Sequence, residues 1–233
     1  MPELPRCFAL VPCAGVGQRA GVGGPKQYAA LAGRTVVAHT LAALAEVQRI
    51  SHTLVVLSPD DAVFEQHAPA FAGWVARTGG ATRADSVAAG LRALRARDAH
   101  DEDWVLVHDA ARCLLQAVWV NRLIDACLDD AVGGLLALPL ADTLKAGTTA
   151  DRVATTLDRS AKWLAQTPQM FRLGLLQRAL HEGAAAGVNI TDEASAVEAL
   201  GLAPRLVPGD LENFKLTWPA DFALAERLLR SRP

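Results

Sequence analysis

Short apolar runs of strand length alternate with helical patterns along most of this chain, and that alternation leaves few folds open. Cys7–Pro12 is continuous, apolar and ended by proline and a glycine-rich stretch, as expected of a strand covered on both faces. His52–Leu57 (stopped by Ser58-Pro59-Asp60), Trp74–Arg77 (stopped by Gly79-Gly80), Trp104–Val107, Gly134–Pro139 and Arg205–Val207 read the same way. Between them, helical patterns fall at Thr35–Glu46, Ser86–Arg97, Val118–Asp130, Leu173–Glu182, Asp192–Leu200 and Pro219–Leu229. This spacing predicts an α/β fold: a Rossmann-like, mostly parallel sheet with helices on both faces. A chain of 233 residues, 51% hydrophobic and 21% charged, is expected to form one packed domain over 1–233.

The rhythm changes after Leu140. Residues 141–161 are polar and rich in Thr and Asp, with Ala146-Gly147 read as a turn and a rough alternation at Val153, Thr155 and Leu157. A protruding β-hairpin arm over 140–162 is expected. The net charge of −2 gives no general attraction to nucleic acid or anionic lipid, so neither is expected as a partner. Apolar runs such as Leu54–Leu57 and Leu135–Leu140 are too short to span a bilayer. Met1 to Arg6 lacks the regions of a signal peptide, so a cytoplasmic location is expected. Cys7, Cys13, Cys113 and Cys127 form no C-x-x-C pair, and buried or loop thiols are expected rather than zinc or disulfides.

The stretch from Pro12 to Gln27 carries the most chemical information. Five glycines lie within ten residues directly after a buried strand, so the backbone there can approach a ligand and offer amides to phosphate oxygens. Arg19 and Lys26 add positive charge suited to a triphosphate. A dinucleotide-binding reading of Gly15-x-Gly17-x-x-Ala20 needs an acidic residue about twenty positions on. The candidate, Asp60, comes far too late. A phosphate loop of the Gly-Lys-Ser/Thr type is absent, and a plain connector would not require Arg19 and Pro25-Lys26.

The pattern P-x-A-G-x-G-x-R followed by P-K-Q-Y resembles the 2-C-methyl-D-erythritol 4-phosphate cytidylyltransferases. The likeness continues in order through Gly79–Val87, Val107–Arg112, Asp142–Lys145, Asp158-Arg159, Leu164–Gln169, Thr191–Ser195 and Asn213–Thr217. The resemblance implies transfer of a cytidylyl group from CTP to methylerythritol phosphate, with magnesium or another divalent cation and a homodimer whose arms complete each other's sites. It places Arg19, Lys26, Arg159 and Lys215 at the chemistry. It assigns Cys13, Ala14, Gly15, Gly17, Gly80, Arg83, Ser86 and Asp109 to the nucleotide, with Asp109 also on the metal. Arg112, Thr143, Thr167 and Thr191 fall to the acceptor.

Each block also has an ordinary reading. Ser86 suits a helix N-cap, and Thr191-Asp192-Glu193 suits a helix start. Asp109 could cap the segment after a strand, and Thr143 and Arg159 could belong to a solvated hairpin. Position 81 is Ala where some relatives carry an acid, and Cys113 stands where the family usually has proline. Two other functions stay open on sequence: a ribitol 5-phosphate cytidylyltransferase, and a non-catalytic nucleotide-binding protein.

Overall fold

The computed structural model describes residues 5–15 and 24–232. Its seven-stranded sheet contains β1 (Cys7–Pro12), β4 (Ile50–Val56), β5 (Trp74–Ala76), β6 (Trp104–Val107), β7 (Gly133–Pro139), β10 (Trp163–Arg172) and β11 (Arg205–Pro208). Two-stranded ribbons are made by β2 (Ala30–Leu31) with β3 (Arg34–Thr35), and by β8 (Leu144–Gly147) with β9 (Val153–Leu157). The helices are α1 (Val36–Ala45), α2 (Phe64–His67), α3 (Arg83–Arg95), α4 (Ala117–Cys127), α5 (Leu173–Ala185), α6 (Glu193–Glu198) and α7 (Pro219–Ser231).

The main sheet runs β11-β7-β10-β6-β1-β4-β5, and every neighbouring pair is parallel except the two that involve β10. Its central strands feed two cores by simple alternation. Cys7, Ala9 and Val11 of β1, with Trp104 and Leu106 of β6, join α1 and α4 on one face. Phe8 and Leu10, with Val105 and Val107, join α3, α5 and α6 on the other. Continuous apolar runs were therefore the right signal for strands covered on both sides. A third, smaller cluster seats α7 against Leu114 and Leu216.

Several details differ from the sequence reading: α2 and the β2–β3 ribbon were not expected, and three further differences bear on the sheet, the arm and α3. The antiparallel strand β10 was not foreseen. It pairs with β6 through Gln169↔Val107 and with β7 through Trp163↔Pro139, and its register against β7 shifts between Ala165 and Gln169. That shift brackets Pro168, which has no amide hydrogen to give a ladder and breaks the strand pattern. The arm is a hairpin, as expected, but Ala146 and Gly147 lie within β8. The turn follows them: Thr148 Oγ accepts from the amides of Ala150 and Arg152, and Asp151 takes φ +55. Helix α3 starts at Arg83, three residues earlier than expected, because Thr82 is its cap. Thr82 and Asp85 form a reciprocal capping box. No helix among the described residues is long and apolar enough to cross a membrane.

Candidate active site

Open α/β sheets place ligands beyond the carboxyl ends of their parallel strands, and the conspicuous residues of this chain gather there. After β1, the Cys13 amide continues the ladder by donating to Val56 O at 2.7 Å. Gln27 Nε2 donates to Cys13 O at 3.1 Å and ties the far side of the glycine-rich stretch back to its start. The Cys13 thiol is buried, and burial pushes its pKa up to about 12, so it is an inert packing group. Gly79 is required by close approach: a Cβ there would lie 2.4 Å from Ala14 Cβ and 2.7 Å from Leu57 O. Gly80 N–H donates to Ser86 Oγ at 3.1 Å, and the Ser86 hydroxyl donates to Thr82 O. Ser86 thus braces the turn from inside the first turn of α3. Lys26 Nζ donates to Leu216 O at 2.7 Å, bringing the end of the loop beside Asn213–Thr217. Arg19 and Gly17 lie outside the described residues.

Asp109, at the end of β6, is the electrostatic centre. Its Oδ1 accepts from Arg83 Nε at 2.9 Å, its Oδ2 pairs with Lys215 Nζ at 2.8 Å, and Arg112 Nε stands 3.7 Å away. Burial alone would raise its pKa. The attraction of Arg83, Lys215 and Arg112 outweighs burial and holds the carboxyl far below the usual range. Arg83 also forks onto Glu193 at 2.6 and 3.0 Å. Arg83, Lys215 and Arg112 therefore ring Asp109 at the floor of the crevice, with Glu193 behind Arg83.

A hydrogen-bond chain fixes this floor from below. Asp109 N–H donates to Thr167 Oγ at 3.1 Å, and Thr167 Oγ lies 3.0 Å from His108 Nδ1. His108 Nε2 lies 3.1 Å from Arg112 O. Burial lowers the His108 pKa to about 4, so its ring is neutral. A neutral ring that donates through Nε2 to a carbonyl accepts at Nδ1, and the Thr167 hydrogen is then spent on His108. Asn213, fully buried, donates through Nδ2 to Thr167 O at 2.8 Å, while its backbone carbonyl accepts from Arg112 Nη1 at 2.7 Å. Sequence reasoning singled out neither Asn213 nor Glu193; each stood only as a member of a quoted block.

Thr191 sits just ahead of α6, whose N-cap is Asp192, so the expected helix start is present. Thr143 and Arg159 lie exposed on the arm. Arg159 donates to Ala141 O within the arm, and no hydrogen bond joins either residue to the Asp109 cluster. Among the described residues no group of three or more His, Cys, Asp or Glu could hold a metal ion. Asp109 alone suits magnesium that arrives with its own oxygen ligands, because one carboxylate plus phosphates and water is a common magnesium set.

The chain and its fold are similar to known proteins. The family model for IspD, 2-C-methyl-D-erythritol 4-phosphate cytidylyltransferase, matches residues 7–231. The bifunctional enzyme IspD/IspF of Albidiferax ferrireducens is 59% identical over 98% of this chain, and the match spans 54% of that protein. This chain therefore spans about half the length of that relative. The 2-C-methyl-D-erythritol 4-phosphate cytidylyltransferase of Paraburkholderia xenovorans is 52% identical over 98% of both chains. The crystal structure of a 4-diphosphocytidyl-2C-methyl-D-erythritol synthase superposes with a TM-score of 0.85 at 42% identity, covering 97% of this chain and 98% of that one. With a sheet of this order, a cation-ringed carboxylate at its carboxyl edge and a family match from the first strand to the last helix, the chain belongs to the 2-C-methyl-D-erythritol 4-phosphate cytidylyltransferase family.

Proposed function

We infer that this protein transfers the cytidylyl group of CTP to 2-C-methyl-D-erythritol 4-phosphate and releases pyrophosphate. The observation that carries the reading is the ring of Arg83, Arg112 and Lys215 around Asp109 beyond the carboxyl ends of the strands, a seat suited to anionic substrates. An oxygen of the acceptor phosphate attacks the α-phosphorus of CTP. The new P–O bond forms as the bond to the bridging oxygen of the departing pyrophosphate breaks. The attacking phosphate is already ionised, so no general base is needed, and catalysis consists of alignment and charge stabilisation. Lys26 and Arg19 flank the triphosphate. Lys215 and Arg112 hold the acceptor phosphate, and Thr191 contacts the acceptor. Gly80 and Ser86 shape the pocket for base and ribose, beside the Cys13–Gly15 backbone. Asp109 supplies one ligand to magnesium, whose chemistry is neutralisation of the triphosphate. Thr143 and Arg159 come from the arm of a second subunit, which explains why they stand apart from the cluster in one chain. The reading includes one domain over 1–233, a homodimer and a cytoplasmic location.

Purified protein with CTP and magnesium should release pyrophosphate with methylerythritol phosphate and not with ribitol 5-phosphate. Release with ribitol 5-phosphate alone would transfer the assignment to that acceptor. Binding of CTP without release would leave only a nucleotide-binding protein. Lys26→Ala should retain the fold by circular dichroism and lower kcat by about 100- to 1,000-fold, as loss of one charge-stabilising donor does.

A further inference from the structure

Glu193 is 1% exposed and faces the catalytic crevice through one intermediary. Its Oε1 accepts from Arg83 Nη1 at 2.6 Å and its Oε2 from Arg83 Nη2 at 3.0 Å, a bidentate fork. The remaining edge of the same guanidinium, Nε, donates to Asp109 Oδ1 at 2.9 Å. Arg83 therefore has its charge committed to two carboxylates. We propose that Glu193 is a positioning residue: it clamps Arg83, and Arg83 pins Asp109 so that Lys215 and Arg112 face the attacking phosphate in register. The proposal rests on the functional reading given above.

Stability does not explain the arrangement. A buried ion pair seldom outperforms well-packed apolar groups of similar size. Arg83 is also the first residue of α3, the end of a helix where a cation meets the positive pole of the dipole. Glu193 in turn is the first residue of α6, and its backbone is fixed twice over. Asp192 caps that helix through Ser195, and Gln169 of β10 accepts from the Ala194 amide at 2.7 Å while donating to Asp192 at 2.8 Å. Two helix starts and one strand thus hold the fork in place. With one oxygen of Asp109 pinned, the other is aimed at Lys215, 2.8 Å away, and toward Arg112. Without the fork Arg83 keeps a single partner, the Asp109 carboxylate can rotate, and both cations lose their reference point.

Two variants test this in the full-length protein. Glu193→Gln removes the second acceptor of the fork and sets an amide donor against a guanidinium donor. Arg83→Lys keeps the charge and removes the fork. Each disturbs a buried ion pair and should lower the thermal midpoint while the protein stays folded by circular dichroism at the assay temperature. Each should lower kcat by about 100-fold, the loss expected from a misplacement of about 1 Å, and for Glu193→Gln KM for CTP should change by less than about threefold. The double variant should be no worse than either single one, as expected for residues acting as one unit. Inorganic phosphate binding by calorimetry reads the same alignment without turnover, and it should weaken about tenfold in both variants. Unchanged phosphate affinity overturns the proposal whether or not the wild-type protein turns over. A wild-type protein that releases no pyrophosphate, with weakened phosphate binding in the variants, would overturn only the functional reading. If both variants unfold, the clamp is structural and the proposal falls.

Discussion

Two buried aspartates on either end of β6 show how differently one residue type can be used. Asp103 precedes the strand and accepts from the Arg6 amide, from Arg6 Nη2 and from the His100 amide, each at 2.8 Å. Burial alone would raise its pKa, but these donors outweigh burial and lower it. A carboxylate whose folded pKa is depressed contributes stability above its unfolded pKa of about 3.9, and that contribution is lost as the pH falls through the folded value. Asp103→Asn should therefore cost about 1.5–3 kcal/mol in urea melts at neutral pH. The gap to wild type should narrow as the pH drops below about 4; a gap independent of pH would show that its charge is not what holds Arg6. Asp109, by contrast, spends its charge on groups of the crevice. Sequence singled out Asp109, because a carboxylate closing an apolar strand is a local pattern. It missed Glu193, whose only signal is a pairing with Arg83 across 110 positions.

At the scale of elements, most boundaries were legible because strand length, apolar continuity and caps are local. β1 and β6 came out at their observed limits. The losses were where one residue overrides the pattern. Pro168 hid β10, and Thr148 with Asp151 moved the arm's turn beyond the more obvious Ala146-Gly147. The arm also carries Val153 at 65% and Leu157 at 42% exposure, apolar surface that a second subunit would cover in the proposed dimer. Glu at both positions should convert the dimer to a folded monomer in sedimentation experiments and remove turnover with it. A dimer that persists would mean the arm is not the docking element.

For the whole molecule, the sheet order is the least legible feature. Apolar alternation says that strands are covered, not which lie side by side. The placement of β10 beside β6 depends on pairings more than sixty residues apart in sequence, such as Gln169↔Val107. The centre should be correspondingly unforgiving: Leu106→Ala, fully buried in β6, should cost about 2–5 kcal/mol in urea unfolding while the folded fraction keeps its kcat. One consequence of this layout is mechanical. β7 and β10 run paired from Gly133↔Phe171 to Pro139↔Trp163, with the arm at the far end and Thr167 partway along. They form a lever with its handle in solvent and its load on the amide of Asp109. A grip on the handle pulls on Asp109 through the strand and the Thr167 hydroxyl, and the hydrogen-exchange rate of that amide is where the pull would register.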